Sequence, residues 1–195
     1  MSGFLSGSVD ATRQRILDGT VEVFRKKGSS FTMNDISKEL SMSKKTIYSV
    51  FRDKESLLFN LVDYFFNTVK IDEEKINNDE SLSTKEKLIK ILGAMPEAAV
   101  GIDFSSINSL REKYPRVGKR IEERLESGWD STIALLKKGQ DEGIFRSVDT
   151  VVFQMTFEAA IERFLSTNEL KKAHISYDDA LNELVNILVN GVCID

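Results

Sequence analysis

The sequence reads as an all-α protein, a small N-terminal three-helix unit followed by a larger helical bundle. Three observations lead there. Apolar residues recur three and four apart along nearly the whole chain, punctuated by Ser, Thr and Asp where helix N-caps are needed. Only two prolines interrupt the 195 residues, so long helices are permitted. Charge is unevenly spread: residues 1–60 carry ten basic and seven acidic side chains, a net +3, whereas residues 61–195 carry −7. A basic end joined to an acidic remainder suits a chain that meets a polyanion with one end only.

Taken in order, the first helix is expected over Ala11–Lys27, capped by Asp10, with Ile16, Thr20, Val23 and Phe24 facing a core. Arg25, Lys26 and Lys27 suit the negative end of its dipole, and Gly28 ends it. Thr32 caps a second, short helix, with Asp35 placed to complete a capping box and Ile36 and Leu40 on its buried side. Ser43 caps a third helix from Lys44 to about Phe51, which turns Ile47 and Phe51 inward and leaves Lys44, Lys45, Thr46, Tyr48 and Ser49 at or near its exposed side. Asp53 caps a longer fourth helix from Lys54 toward Val69, and the acidic stretch 72–83 reads as an exposed connection. Ser83 and Glu86 box the start of a fifth, which Pro96 kinks or ends. A short helix over Ser105–Lys113 follows, then a long one from Pro115 to about Gly139 with Val117, Ile121, Leu125, Trp129, Ile133 and Leu136 at helical spacing. Two final helices are capped by Asp149 and by Ser176 with Asp179.

Helix, tight turn, helix is a recurring unit in which two short helices need a third to cover their apolar faces. The second of the pair then stands out, able to enter a major groove about 12 Å wide. Its exposed surface here is Lys-Lys-Thr-x-Tyr-Ser, rich in donors and free of carboxylate, which suits phosphates and base edges. An ordinary solvated helix in a bundle remains the plain alternative on pattern alone.

Catalytic readings find little support. One histidine, His174, gives no two-histidine metal site, and one cysteine, Cys193, gives neither a zinc cluster nor an internal disulfide. No Gly-rich phosphate loop and no Gly-x-Ser-x-Gly elbow occurs. Glu122 and Glu126 share a face, but Lys119, Arg120 and Arg124 make solvated ion pairs the better account. The expectation is therefore no enzyme, no metal and no cofactor. No apolar run approaches about 18 residues, and the first 15 residues lack an apolar signal core, so a soluble cytoplasmic protein without membrane contact is expected.

The stretch Phe31–Leu57, with the preceding Thr12-Arg-Gln-Arg-Ile-Leu, Val23-Phe24 and Gly28, resembles the signature of the TetR family of transcriptional regulators over about residues 11–60. The resemblance implies a DNA-binding domain over 1–53 and a helical effector-binding and dimerisation domain over 54–195. It implies DNA contacts from Thr32, Ser43, Lys44, Lys45, Thr46, Tyr48, Ser49 and Lys54, with Lys44 reading a base and Tyr48 and Lys54 touching phosphates. Three positions depart from the pattern: Ser37 replaces a usual Ala, Ser41 a usual Gly, and Val50 a usual aromatic or His. Ser37 can bond back to a helix carbonyl, and Ser41 costs about 1 kcal/mol if its φ is positive. Val50 offers no hydrogen bond.

The resemblance also implies a homodimer through the last two helices, placed at about 149–190, with Phe157, Ile161, Leu184 and Leu188 at the interface. Candidate effector contacts are Phe65, Met95, Asp103, Phe104, Asn108, Leu110, Trp129, Ile133, Phe153, Gln154, Phe157 and Glu158. The expected function is a repressor that holds a palindromic operator in double-stranded DNA until a small-molecule effector releases it. An activator or effector-independent regulator of the same fold, and a helical dimer acting through protein contacts, stand as alternatives.

Overall fold

The computed structural model describes residues 3–99, 102, 104 and 107–194, and these are helical with short connections. The helices are α1 (Gly3–Lys27), α2 (Met33–Glu39), α3 (Lys44–Val50), α4 (Lys54–Asn78), α5 (Thr84–Leu92), α6 (Ile107–Lys113), α7 (Pro115–Leu125), α8 (Asp130–Asp141), α9 (Thr150–Ser166), α10 (Glu169–Lys172) and α11 (Tyr177–Val192). Short 3₁₀ turns occupy Gly28–Ser30 and Glu97–Ala99.

The N-terminal unit closes on itself because three short apolar faces converge. Ile16, Phe24, Phe31, Ile36, Ile47 and Phe51 are all buried there, and Phe24 meets Phe31 edge-on with ring centres 6.2 Å apart. The Thr32 hydroxyl accepts from the Asp35 amide at 3.3 Å while Asp35 accepts from the Thr32 amide at 2.8 Å, completing the capping box. A hydroxyl cap from Ser43 and a carboxylate cap from Asp53 start α3 and α4. Gly28 ends α1 at φ +57°, and Ser41 takes φ +48° in the turn between α2 and α3. Gly19 lies where Leu40 presses on α1: a Cβ there would stand 2.4 Å from a Leu40 methyl.

The larger bundle is organised about α4, which packs against α1 on one side and α5 and α7 on the other. Arg120 on α7 reaches Asp63 on α4 at 2.7 Å. Arg111 on α6 bonds Glu122 of α7 and Glu162 of α9, each at 2.6 Å, so one guanidinium ties three helices. At the chain end, Phe145 and Cys193 form an antiparallel bridge. Around it the Arg146 amide donates to the Val192 carbonyl at 2.7 Å and the Ile194 amide to the Ile144 carbonyl at 3.0 Å.

Several sequence expectations are corrected. The first helix begins at Gly3, so Asp10 lies within it rather than at its cap; no proline or capped break separates the two stretches. The fourth helix runs on to Asn78, leaving only 79–83 as connection. Lys70–Glu73 and Asp72–Lys75 pairs lie along this continuation, and Ile76 packs on the core. The single long helix from Pro115 is two, broken at 126–129, where Gly128 takes φ +78°. An apolar stripe that continues across the break hides it from periodicity. Ser37 donates forward to the Met42 carbonyl at 2.6 Å rather than back along its own helix, pinning the turn that follows.

Candidate nucleic-acid interface and effector cavity

The reader face is built by caps and by the ion pairs around it. Ser43 Oγ accepts from the Thr46 amide at 3.1 Å and lies 2.8 Å from Thr46 Oγ1, while Ser49 Oγ donates to the Thr46 carbonyl at 2.7 Å. These hydroxyls are partly committed to shaping α3. Lys44, Lys45 and Tyr48 are exposed. Neighbouring cations are compensated: Lys26 by Glu39, Lys27 by Asp35 and Arg52 by Asp53. Among the described residues Lys44 and Lys45 form no ion pair, so they carry the free positive charge of this face. Hydrogen bonds from Lys27 and then Thr32 hold the Asp35 carboxyl well below the usual range. The Ser56 amide, and after it Arg52, lower Asp53.

Lys54 sits differently from an open phosphate contact. Its ammonium donates to the Ser29 carbonyl at 2.9 Å and to the Phe31 carbonyl, and lies 3.9 Å from the centre of the Phe31 ring. Partial burial, reinforced by the nearby Lys113, brings its pKa down to about 8. It clamps the turn before α2 to the start of α4. Thr32 is likewise engaged with Asp35.

The bundle encloses a largely apolar cavity of about 240 Å³. Of the effector candidates, Phe65, Met95, Phe104, Leu110, Trp129 and Phe157 line it. Asn108, Ile133, Phe153, Gln154 and Glu158 do not: Asn108 bonds Glu112, Gln154 bonds Glu158, and Phe153 is buried elsewhere in the core. Asp103 lies outside the described residues. The indole of Trp129 meets Phe157 edge-on at 5.5 Å and donates to the Leu125 carbonyl at 2.9 Å. Polar lining groups absent from the expected set are Lys70, Glu73, Arg124, Ser127, Thr132 and Tyr177. Lys70 bridges Glu73 and the Gly128 carbonyl, each at 2.5 Å. The Nε of Arg124 is buried without a hydrogen-bond acceptor among the described residues. Burial, with a smaller contribution from Asp178, pushes the Tyr177 phenol up. Lys70 and Glu73 come from the unforeseen extension of α4 and Thr132 from beyond the break after α7, neither of which periodicity shows.

The expected dimer residues divide. Ile161 is only 3% exposed within its own subunit and cannot meet a partner, and Phe157 points to the cavity. Leu184 and Leu188 are half-buried. The outward apolar surface belongs instead to Val151, Val152 and Met155 on α9 and Ile187 on α11, each 61% exposed. Gly191, one turn beyond Ile187, has nothing within 4 Å of where a Cβ would stand.

A capped helix pair with an exposed lysine-bearing second helix, carried on a bundle with an apolar cavity, has the build of a helix-turn-helix unit joined to a larger helical domain. Residues 16–61 match the family model described as bacterial regulatory proteins, tetR family. A Bacillus subtilis (strain 168) protein described as the uncharacterized HTH-type transcriptional regulator YvaF is 26% identical over 182 residues, covering 93% of this chain and 96% of that protein. A TetR-family regulator from Cytophaga hutchinsonii superposes with a TM-score of 0.69 at 21% identity, covering 96% of this chain and 98% of that one. FadR of Bacillus subtilis, solved with stearoyl-CoA, gives 0.54 at 21% identity, covering 92% and 98%. Residues 16–61 thus match the tetR-family model, and the whole chain shares the fold of solved TetR-family regulators. Regulators of this family typically bind DNA as dimers. Among the described residues no helix is long and apolar enough to cross a membrane, and no group of three or more His, Cys, Asp or Glu is placed to hold a metal ion.

Proposed function

We propose that this protein is a dimeric, operator-specific repressor released by an effector that enters the bundle cavity. The observation that carries the DNA reading is the pair Lys44–Lys45, uncompensated on an exposed helix whose start is fixed by Ser43. Lys44, Lys45 and Tyr48 are the direct contacts, with Thr46 and Ser49 beside them on the same helix. Thr32 and Lys54 act mainly by fixing α2 and the start of α4. Residues 1–53 form the reading unit and 54–195 the sensing and dimerising one.

Dimerisation is assigned to the outward stripe of Val152, Met155 and Ile187, with Gly191 permitting close approach of a partner helix. Leu184 and Leu188 flank that stripe. A two-fold pairing there presents two copies of α3 to half-sites about 34–36 Å apart, or a multiple of it.

The cavity's apolar lining supports an effector with a substantial hydrocarbon body, and stearoyl-CoA bound to FadR of Bacillus subtilis, a protein of the same fold, is consistent with an acyl ligand. At about 240 Å³ the space lies below the roughly 300–1,000 Å³ of most ligand pockets. An effector that widens it displaces the helices that line it, and that displacement lowers DNA affinity. Fluorescence polarisation with duplexes from the protein's own upstream intergenic DNA tests this. Tight salt-sensitive binding to one palindromic duplex, reversed by an acyl-CoA or fatty acid of suitable length, is expected. Equal weak binding to every duplex would remove the operator reading.

A further inference from the structure

A second concavity, of about 400 Å³, lies where the two domains meet. Its wall is made by residues 30–34, by Lys44 and Tyr48 of α3, by Lys54 at the start of α4, and by Lys113 and Tyr114 at the end of α6. Three lysines and two tyrosines thus line one space, and no Asp or Glu is among its lining residues. The nearby acids are already engaged, Asp35 with Lys27 and Thr32, and Asp53 with Arg52 and the Ser56 amide. Lys44 and Lys113 are exposed and form no ion pair among the described residues. Lys113 instead lies 5.6 Å from the Tyr114 ring centre. Two lysines without an ion pair beside a third that is held only by carbonyls and a ring make a space that favours an anion. Burial chiefly, and after it the nearby Lys113, lowers the Lys54 pKa, while Asp35 acts the other way.

We propose that this concavity is a phosphate site shared by the two domains, in which Lys113 of the effector domain holds the same phosphate group as Lys44 and Tyr48 of the reader helix. The proposal rests on the DNA-binding reading for its first source of ligand, a backbone phosphate of the operator. Free inorganic phosphate offers the same chemistry. The shared site gives the bundle a direct grip on the ligand of the reading domain. Helix α6 packs against the turn at Gly28–Ser30. It also carries Ile107 and Leu110, which line the apolar cavity, so one seven-residue helix has two side chains in one space and its last lysine in the other. Widening the cavity at Leu110 would shift α6 and so change the position of Lys113 relative to Lys44.

The test uses the full chain and the variants Lys113→Ala, Lys113→Arg and, as a charge-matched control outside the concavity, Lys137→Ala. Binding to the operator duplex and to a scrambled duplex is titrated over a salt series. Expected for Lys113→Ala is weaker binding to both duplexes by a similar factor. The slope of log affinity against log salt should be shallower by about 0.9 per protomer, one phosphate's worth. Lys113→Arg should restore the slope and Lys137→Ala leave it unchanged. A thermal shift with millimolar sodium phosphate against sodium chloride at equal ionic strength forms the second arm. A shift in the wild type that is lost in Lys113→Ala, with DNA slopes unaffected, assigns the site to free phosphate. If the wild type binds no duplex, the operator reading fails while this second arm still decides the site. Slopes and thermal shifts unchanged by Lys113→Ala would overturn the proposal.

Discussion

Ser41→Gly should stabilise the protein, and the amount can be worked from the backbone. Ser41 holds φ +48° in the turn between α2 and α3, where a Cβ crowds the following carbonyl. That conformation costs a non-glycine residue about 1–2 kcal/mol. Glycine removes the strain but gains freedom in the unfolded chain worth about 0.4–1 kcal/mol. The Ser41 side chain is exposed and its hydroxyl makes no hydrogen bond among the described residues, so nothing else is lost. The net expectation is about 0.5–1 kcal/mol, or about 1–4 °C in melting temperature for a chain of this length. Urea unfolding at pH 7 measures it, with Ser41→Ala as the partner experiment. Alanine keeps the Cβ and should gain nothing. A Ser41→Ala protein as stable as Ser41→Gly, or a Ser41→Gly protein less stable than the parent, refutes the reasoning.

Other consequences can be tested alongside. Gly139→Ala should destabilise by about 1–3 kcal/mol, because a Cβ would stand 2.1 Å from the buried Phe145 ring; an unchanged denaturation midpoint would show that the ring moves freely. Met155→Asp should give a light-scattering mass near the 22.0 kDa of one chain, against about twice that for the parent, and should weaken operator binding; a parent mass of one chain contradicts the assigned face. Asp35 and Glu86 titrate below their ordinary values, Asp35 chiefly through Lys27 and Glu86 through Ser83. Their contribution is therefore full above the ordinary carboxylate pKa of about 4 and is lost as acidification passes toward the lowered values. Asp35→Asn should accordingly lose less stability than the parent between pH 6 and pH 2.5, and parallel pH profiles would disprove that linkage.

What the sequence made legible follows from how local the signals are. Caps act over three residues, so Thr32–Asp35, Ser43, Asp53, Ser83–Glu86, Asp149 and Ser176 could be read before any packing was known, and each caps a helix here. The exposed lysines of α3 were legible because Ile47 and Phe51 fix which side turns inward. Misreadings arose where a tertiary choice decides. Gly128 breaks a helix whose apolar spacing continues undisturbed, and that break carries Trp129 to the cavity wall. On α9, Phe153, Phe157 and Ile161 share one face, and the bundle claims it. The outward apolar surface is left to Val152 and Met155, which composition alone does not separate from core. Lys113 carried no signal at all, since its meaning lies in being brought beside Lys44 and Lys54, far away in sequence.

The bridge between Phe145 and Cys193 gives the molecule a built-in reporter. Cys193 is the only thiol in the chain, half-buried where the end of α11 is fastened to the turn that leads into α9. Its rate of modification by a thiol reagent therefore rises when this clasp opens, and comparison with the global unfolding rate separates local from global opening. Because the clasp ties the end of α11 to the segment leading into α9, the labelling of this one sulfur follows how firmly those two helices are held together, without an added tag.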